Sequence, residues 1–496
     1  MPRILLYIVS ILSLYSCVSS RNSTYQPNAK FSPNALQADY TLLRNILEAK
    51  HPSLYWYTSR DSMNAYFNQY YNAIADSMTE EEFGWKVLAP LTDKIHCGHT
   101  SFGMSKGYNR WASNKRFASF PLYMKIWKDT MVVTSNLNTK DSILKRGTFI
   151  TGINGWKNQD LIQYMFGYMT EDGLANNANY IRLSGNFPYY HRQLFGYYKK
   201  YTVQYLDSTG KEQTIIVPLY EPSVDTVKKL RENPAFHKAK KSQQPGRLEN
   251  IRQLRVDSTG QYATLTLNTF SKGQLRRFFR KSFRKLRQES VPNLIVDLRS
   301  NGGGKMAYST LFTKYLSRQP FKIADTAFAV AKSLRPYTKY IRGRGLNNWG
   351  LFFFTKKKAD GKFHFGLWER KYYKPKTSNH FDGKLYILTN GPTFSAAALV
   401  CNDLKGQPGI TLIGEETGGG WHGNSGIMIP DITLPNTKMR VRLPLFRLVQ
   451  SNHMPKDGRG IQPDIYIGTS YDAIIHNYDK KMRVVLDMIK SEQRPN

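Results

Sequence analysis

The sequence predicts a multidomain α/β protein with a helical N-terminal domain, a β-rich middle domain and a C-terminal α/β domain built on a largely parallel sheet. Three observations carry this reading. The chain has 496 residues, too many for one ordinary core; about 100–200 residues per domain gives two to four. The apolar pattern changes along the chain from helical spacing to alternation. From about residue 251, strand-like and helix-like segments take turns, as they do where crossover helices join parallel strands. Hydrophobic residues make up 41% of the chain and aromatics 13%, enough to bury sizeable cores.

Residues 1–16 read as a signal peptide: Arg3 precedes an apolar run from Ile4 to Leu14 that is short for a bilayer span. Leu14-Tyr15-Ser16-Cys17 resembles a bacterial lipoprotein cleavage box, with Tyr15 where a small residue is usual, and implies lipidation of Cys17. Residues 17–32 are polar and suit a tether. This address implies the cell envelope, periplasm or outer membrane, with a lipid anchor.

Residues 33–110 are expected to form the helical domain. Leu36, Tyr40, Leu43, Ile46 and Leu47 recur at helical spacing; Asp61 and Ser62 are candidate caps for a second helix; Thr79 and Glu82 match a capping box for a third. Residues 115–220 change to strand-like runs (FPLYMKIW, TMVVTS, YTVQYLD, QTIIVPL) around ILKRGTFITGINGWKNQDLIQYM. That order of Gly turn, short strand, Asn154-Gly155 and helix resembles a PDZ domain, departing from it in a long aromatic insert from Tyr168 to Tyr198. Such modules bind peptides by strand addition. Residues 221–250 read as a basic linker, 251–470 as the α/β domain and 471–496 as a C-terminal helix.

The chain carries 71 Lys and Arg against 36 Asp and Glu, a net +35. That excludes an acidic solvating protein and invites an anionic partner. The helix expected from Gln274 concentrates charge on one face and Leu275, Phe278, Phe279, Phe283 and Leu286 on the other, as a surface helix on a sheet should. No nucleic-acid fold signature accompanies it, so anionic lipid or acidic peptide is the expected partner. Three cysteines, Cys17, Cys97 and Cys401, exclude a disulfide scaffold or multi-cysteine zinc fold; Cys97 and Cys401 could pair or stay as two buried thiols.

Two strand-to-turn junctions carry the chemistry. In the first, LIVDL runs into Arg299-Ser300-Asn301 and Gly302-Gly303-Gly304, where backbone N–H groups can approach an oxyanion. In the second, LYILT leads through Asn390-Gly391-Pro392 to Ser395 at a helix start. A serine there is placed for nucleophilic attack beside free N–H donors, although most such serines only cap the helix. DLRSNGGG, NGPTFSAAA, LIGEETGGG and GIQPDI, in that order after IHCGHTSF, resemble the tail-specific (C-terminal-processing) serine peptidases and the related tricorn core. The resemblance spans nearly all of the chain after the signal segment. It implies a ClpP/crotonase-like catalytic domain, Ser395 as nucleophile and an oxyanion hole from the N–H groups of Ala396 and Gly303.

The processing branch takes its base from a Lys 25 residues after the serine; here that residue is Gly420, so a Ser–Lys dyad in its usual place is excluded. The tricorn-like branch takes a His from the junction that His99 occupies. The same pattern implies Asp457 as the acid that orients it. His422 is the alternative base. His96 and His99 with Cys97 between them lack a second cluster for zinc, so no metal and no cofactor is expected. The reading is an exported serine endopeptidase acting on protein or peptide through an acyl-enzyme. The alternative is a silent relative that binds peptides or apolar ligands.

Overall fold

The computed structural model describes residues 25–113, 115–222 and 248–492. The expected signal peptide, Cys17, the first half of the tether and most of the linker lie outside the described residues.

Helices Pro33–Lys50, Arg60–Asn72 and a third that starts at Glu80 build the N-terminal region, and Leu36, Tyr40, Leu43, Ile46 and Leu47 are all buried in its core. The Thr79–Glu82 capping box forms as both reciprocal bonds. The second helix is capped by Ser59, which accepts from Ser62 N–H, and not by Asp61 or Ser62. Asp61 lies instead in its first turn, where the helix dipole favours an acid. The third helix passes through a π turn, Gly84–Leu88, before Ala89–Asp93.

In the middle region five strands pair antiparallel in the order 122–127, 130–136, 149–153, 200–206, 212–218. Helix Asn158–Phe166 packs on them, and the aromatic insert forms a second helix, Asn177–Phe195, kinked at Asn186 just before Pro188.

The C-terminal region holds a six-stranded sheet in the order 252–256, 262–267, 293–297, 384–389, 410–414, 465–466. Its first pair is antiparallel and the rest are parallel. Helix Leu275–Gln288 buries Leu275, Phe278, Phe279, Phe283 and Leu286 against this sheet, with its arginines and lysines outward. A separate antiparallel sheet pairs 324–329, 446–450 and 423–427, so the architecture is mixed rather than parallel throughout. Strand 440–442 pairs with 102–103, tying the helical region directly to the C-terminal region beside the site. The expected C-terminal helix is two, Tyr471–Ile475 and Lys480–Ser491, separated by a turn containing Asn477 at φ +53°. No helix among the described residues is long and apolar enough to cross a membrane.

Candidate active site

Ser395 follows the central strand Lys384–Thr389 and precedes helix Ala396–Leu404. The turn between them is locked by Thr393, whose hydroxyl donates to Leu298 O (2.9 Å) and accepts from Asn390 N–H (3.0 Å). Phe394 N–H donates to Asn301 O (3.0 Å), which joins the two junctions. Ser395 itself has φ +53° and ψ −121°, a strained conformation for a residue with a side chain, and its hydroxyl makes no capping bond to the helix. Capping therefore does not account for this serine. Ala396 N–H, the first of the helix, has no intrahelical acceptor.

Gly303 lies against this turn at φ +91°. A Cβ there would stand 2.7 Å from Ser395 Cβ and 2.8 Å from Ala396 N, so only glycine fits. Its N–H donates to Asn301 Oδ1 (2.9 Å). Gly303 therefore makes room beside Ser395, while the N–H expected to join the oxyanion hole already has an acceptor.

His99 comes from the turn that ends the helical region. Its ring stacks on Phe394, centroids 4.5 Å apart, is 3% exposed, and neither of its nitrogens has a hydrogen-bond partner. His99 Nε2 and Ser395 Oγ converge on Gly426: they lie 2.9 and 3.1 Å from where a Cβ at that residue would stand. The two atoms thus border one point in space without a hydrogen bond between them, an approach of the kind that tightens when substrate binds. Gly426→Ala should wedge them apart. We expect kcat/KM to fall on the order of a hundredfold with an unchanged circular-dichroism spectrum; an unaffected rate would show that the gap is not used.

The acid beside His99 is Asp172. Its Oδ1 lies 3.9 Å from His99 Nδ1 and accepts from Gly98 N–H (2.7 Å), while Oδ2 has no partner. Asp457, the acid expected from the sequence, accepts from Arg459 N–H (2.9 Å) in an exposed turn. The two loops are neighbours: Leu174 N–H donates to Gly458 O (2.8 Å) and Gly173 N–H to His96 O (3.0 Å). The aromatic insert of the middle region thus delivers the acid, and no spacing within the C-terminal motifs could have signalled it. Gly420, at the usual Lys position, also sits beside Asp172, with Asp172 Cβ 3.9 Å from where its own Cβ would be.

His422, the alternative base, donates from Nδ1 to Met454 O (2.7 Å), and its ring lies beside Trp56. Two residues that sequence reasoning passed over complete the site. Asn424 is buried, its Oδ1 accepts from Gly426 N–H (2.8 Å) and its Nδ2 has no partner. Arg447 is also buried, with its guanidinium over Trp56 at 4.3 Å and two of its nitrogens unpartnered.

Burial, with Arg442 and Arg447 nearby, pushes His99 down to about 3. Burial pushes Asp172 up to about 6, opposed by the Gly98 N–H bond and by Arg447. At neutral pH the pair is a neutral imidazole beside a carboxylate, the state a general base requires. Cys97, His99 and Asp172 are the residues that could hold a metal, their donor atoms lying within 4.8 Å of one another. His96 does not join them; its Nδ1 faces Glu171 at 4.0 Å. Cys97 and Cys401 are free, buried thiols, pushed by burial up to about 11 and about 12.

A strained serine at a strand–helix turn, facing a buried histidine with a glycine run alongside, is the site of a serine-type peptidase. Residues 261–467 match the model of peptidase family S41. The matched stretch is the C-terminal α/β region that carries Ser395. In structure it is similar to mature CPAF complexed with lactacystin, at 14% identity and TM-score 0.61 over 92% of this chain and 99% of that one. A second structure of mature CPAF matches at 14% identity and TM-score 0.61 over 93% and 99%. The tricorn protease matches at 14% identity and TM-score 0.40 over 93% of this chain and 37% of that one. At such identities the two CPAF likenesses speak to the fold alone. No curated protein matches the chain.

Proposed function

We propose that the protein is an exported serine endopeptidase, anchored through Cys17, that cleaves peptide bonds by an acyl-enzyme using Ser395, His99 and Asp172. The observation that carries this reading is the convergence of His99 Nε2 and Ser395 Oγ on Gly426. Ser395 Oγ attacks the scissile carbonyl and passes its proton to His99 Nε2. The carbonyl oxygen, now negative, lies against Ala396 N–H, with Asn424 Nδ2 the second polar group beside the site. The Asp172 carboxylate steadies the imidazolium, which then gives its proton to the leaving amine. A water, deprotonated by the same ring, releases the acid product and restores Ser395. The middle region acts as a PDZ-like module that presents the peptide. In this branch His99 stands where the lysine dyad is missing, as in the tricorn-like pattern.

A second reading, a silent relative that binds peptides, draws on the unbonded His99 ring. Fluorophosphonate labelling separates the two. Modification mapped to Ser395 and lost in His99→Ala supports the peptidase; an unlabelled Ser395 in folded protein supports the silent relative.

The pair also dictates a pH profile. The competent form needs neutral His99, present above pH about 3, and ionised Asp172, present above about 6. We expect kcat/KM to rise through pH about 6. Arg447 favours the carboxylate, so Arg447→Met raises Asp172 further and should move that limb upward by roughly one pH unit. A pH–rate profile that stays in place or moves down would remove Arg447 from the electrostatics of the site.

A further inference from the structure

Helix Arg344–Phe354 is amphipathic the wrong way round. Its buried face is small, Gly350 and Leu351, with Gly350 so close to Met428 that a Cβ would meet its Cε at 2.9 Å. Its outward face is the more apolar one. Leu346 is 75% exposed, Trp349 51%, Phe352 56% and Phe353 63%, and positions 346, 349 and 353 follow one stripe of the helix. The rings form one surface: Trp349 lies 5.4 Å from Phe353, and Phe352 lies 5.1 Å from Phe353. A contiguous apolar patch of this kind marks an interaction site.

Its rim says what it meets. Lys332 lies over the Phe352 ring at 4.5 Å, and exposed Lys356 and Lys357 follow the helix directly. Arg342 and Arg344 are exposed at its start. Among the described residues no acid forms an ion pair with these five. A second copy would bring the same cations against them, in a protein already at +35. An anionic lipid surface offers both matching parts: headgroups for the Lys and Arg rim, and an interface in which Trp and Phe rings are stable. We propose that this helix docks the protein onto anionic membrane, its aromatic stripe entering the headgroup layer. The inference rests on neither the peptidase reading nor the Cys17 anchor.

The test uses the mature chain prepared without an acyl group, mixed with vesicles of phosphatidylglycerol and phosphatidylcholine or of phosphatidylcholine alone. The expected result is sedimentation with the anionic vesicles, a blue shift of Trp fluorescence, and loss of binding as salt is raised. Trp349→Ser/Phe352→Ser/Phe353→Ser should bind at least about tenfold more weakly with an unchanged melting temperature. Lys356→Glu/Lys357→Glu provides a second variant that leaves the rings in place and should also lose anionic binding. Equal binding by wild type and both variants overturns the proposal. So does a wild-type dimer that the aromatic variant converts to monomer, because a second copy would then cover the stripe.

Discussion

Ser395→Ala abolishes peptide cleavage in the mechanism proposed here, with kcat falling on the order of 10⁴- to 10⁶-fold and no loss of fold. The substitution removes one oxygen from a site held by other contacts. Thr393 still bonds Leu298 and Asn390, Phe394 still bonds Asn301, and Ala397–Ala398 stay in the core. It leaves an alanine at φ +53°, where the serine was already strained, so stability should change little. His99→Ala is expected to cost a similar amount, because nucleophile and base act as one unit and their losses do not add. Hydrolysis of a peptide library, with circular dichroism of each variant, checks both. Cleavage by Ser395→Ala at the wild-type rate would place the chemistry elsewhere.

Asp172→Asn should lower kcat/KM on the order of 10²- to 10⁴-fold, whereas Asp457→Asn should leave it within about threefold. An amide at 172 cannot offset the charge that forms on His99. Its oxygen can keep the bond from Gly98 N–H, so the expected loss is one of charge. The limb near pH 6 set by Asp172 should vanish with it. Asp457 only holds Arg459 N–H in an exposed turn, and an asparagine oxygen can accept that bond too. Equal losses at both positions would return the orienting role to the Asp457 loop. The pair of variants is informative because the loops touch, through Leu174 and Gly458, while only one carboxylate reaches the ring.

Much of the fold could be read from local pattern. The helix carrying Leu275, Phe278, Phe279, Phe283 and Leu286 and the buried strands LIVDL and LYILT are set by period and by glycine or proline punctuation within a few residues. The nucleophile and its turn were legible for the same reason, since Asn390 to Ser395 is a continuous segment. The expected single C-terminal helix is broken at Asn477, whose φ is +53°. The outward stripe of Arg344–Phe354 misleads in another way. Its spacing is that of a core-facing helix, and only the packed structure reveals that Gly350 and Leu351 are the side that is buried.

The sequence by itself determined the parts that one stretch of chain can specify: the strand–turn–helix around Ser395, the glycine run at 302–304, and the absence of a lysine at Gly420. Only the tertiary structure decided what meets what. It set His99 against Phe394 and Gly426, brought Asp172 to 3.9 Å from its ring, bonded His422 to Met454, and placed Asn424 beside Gly426. The physical reason is one of range. Backbone geometry follows from neighbours a few residues apart, whereas a base, an acid and a nucleophile drawn from three regions are matched only by the packing that brings their side chains together.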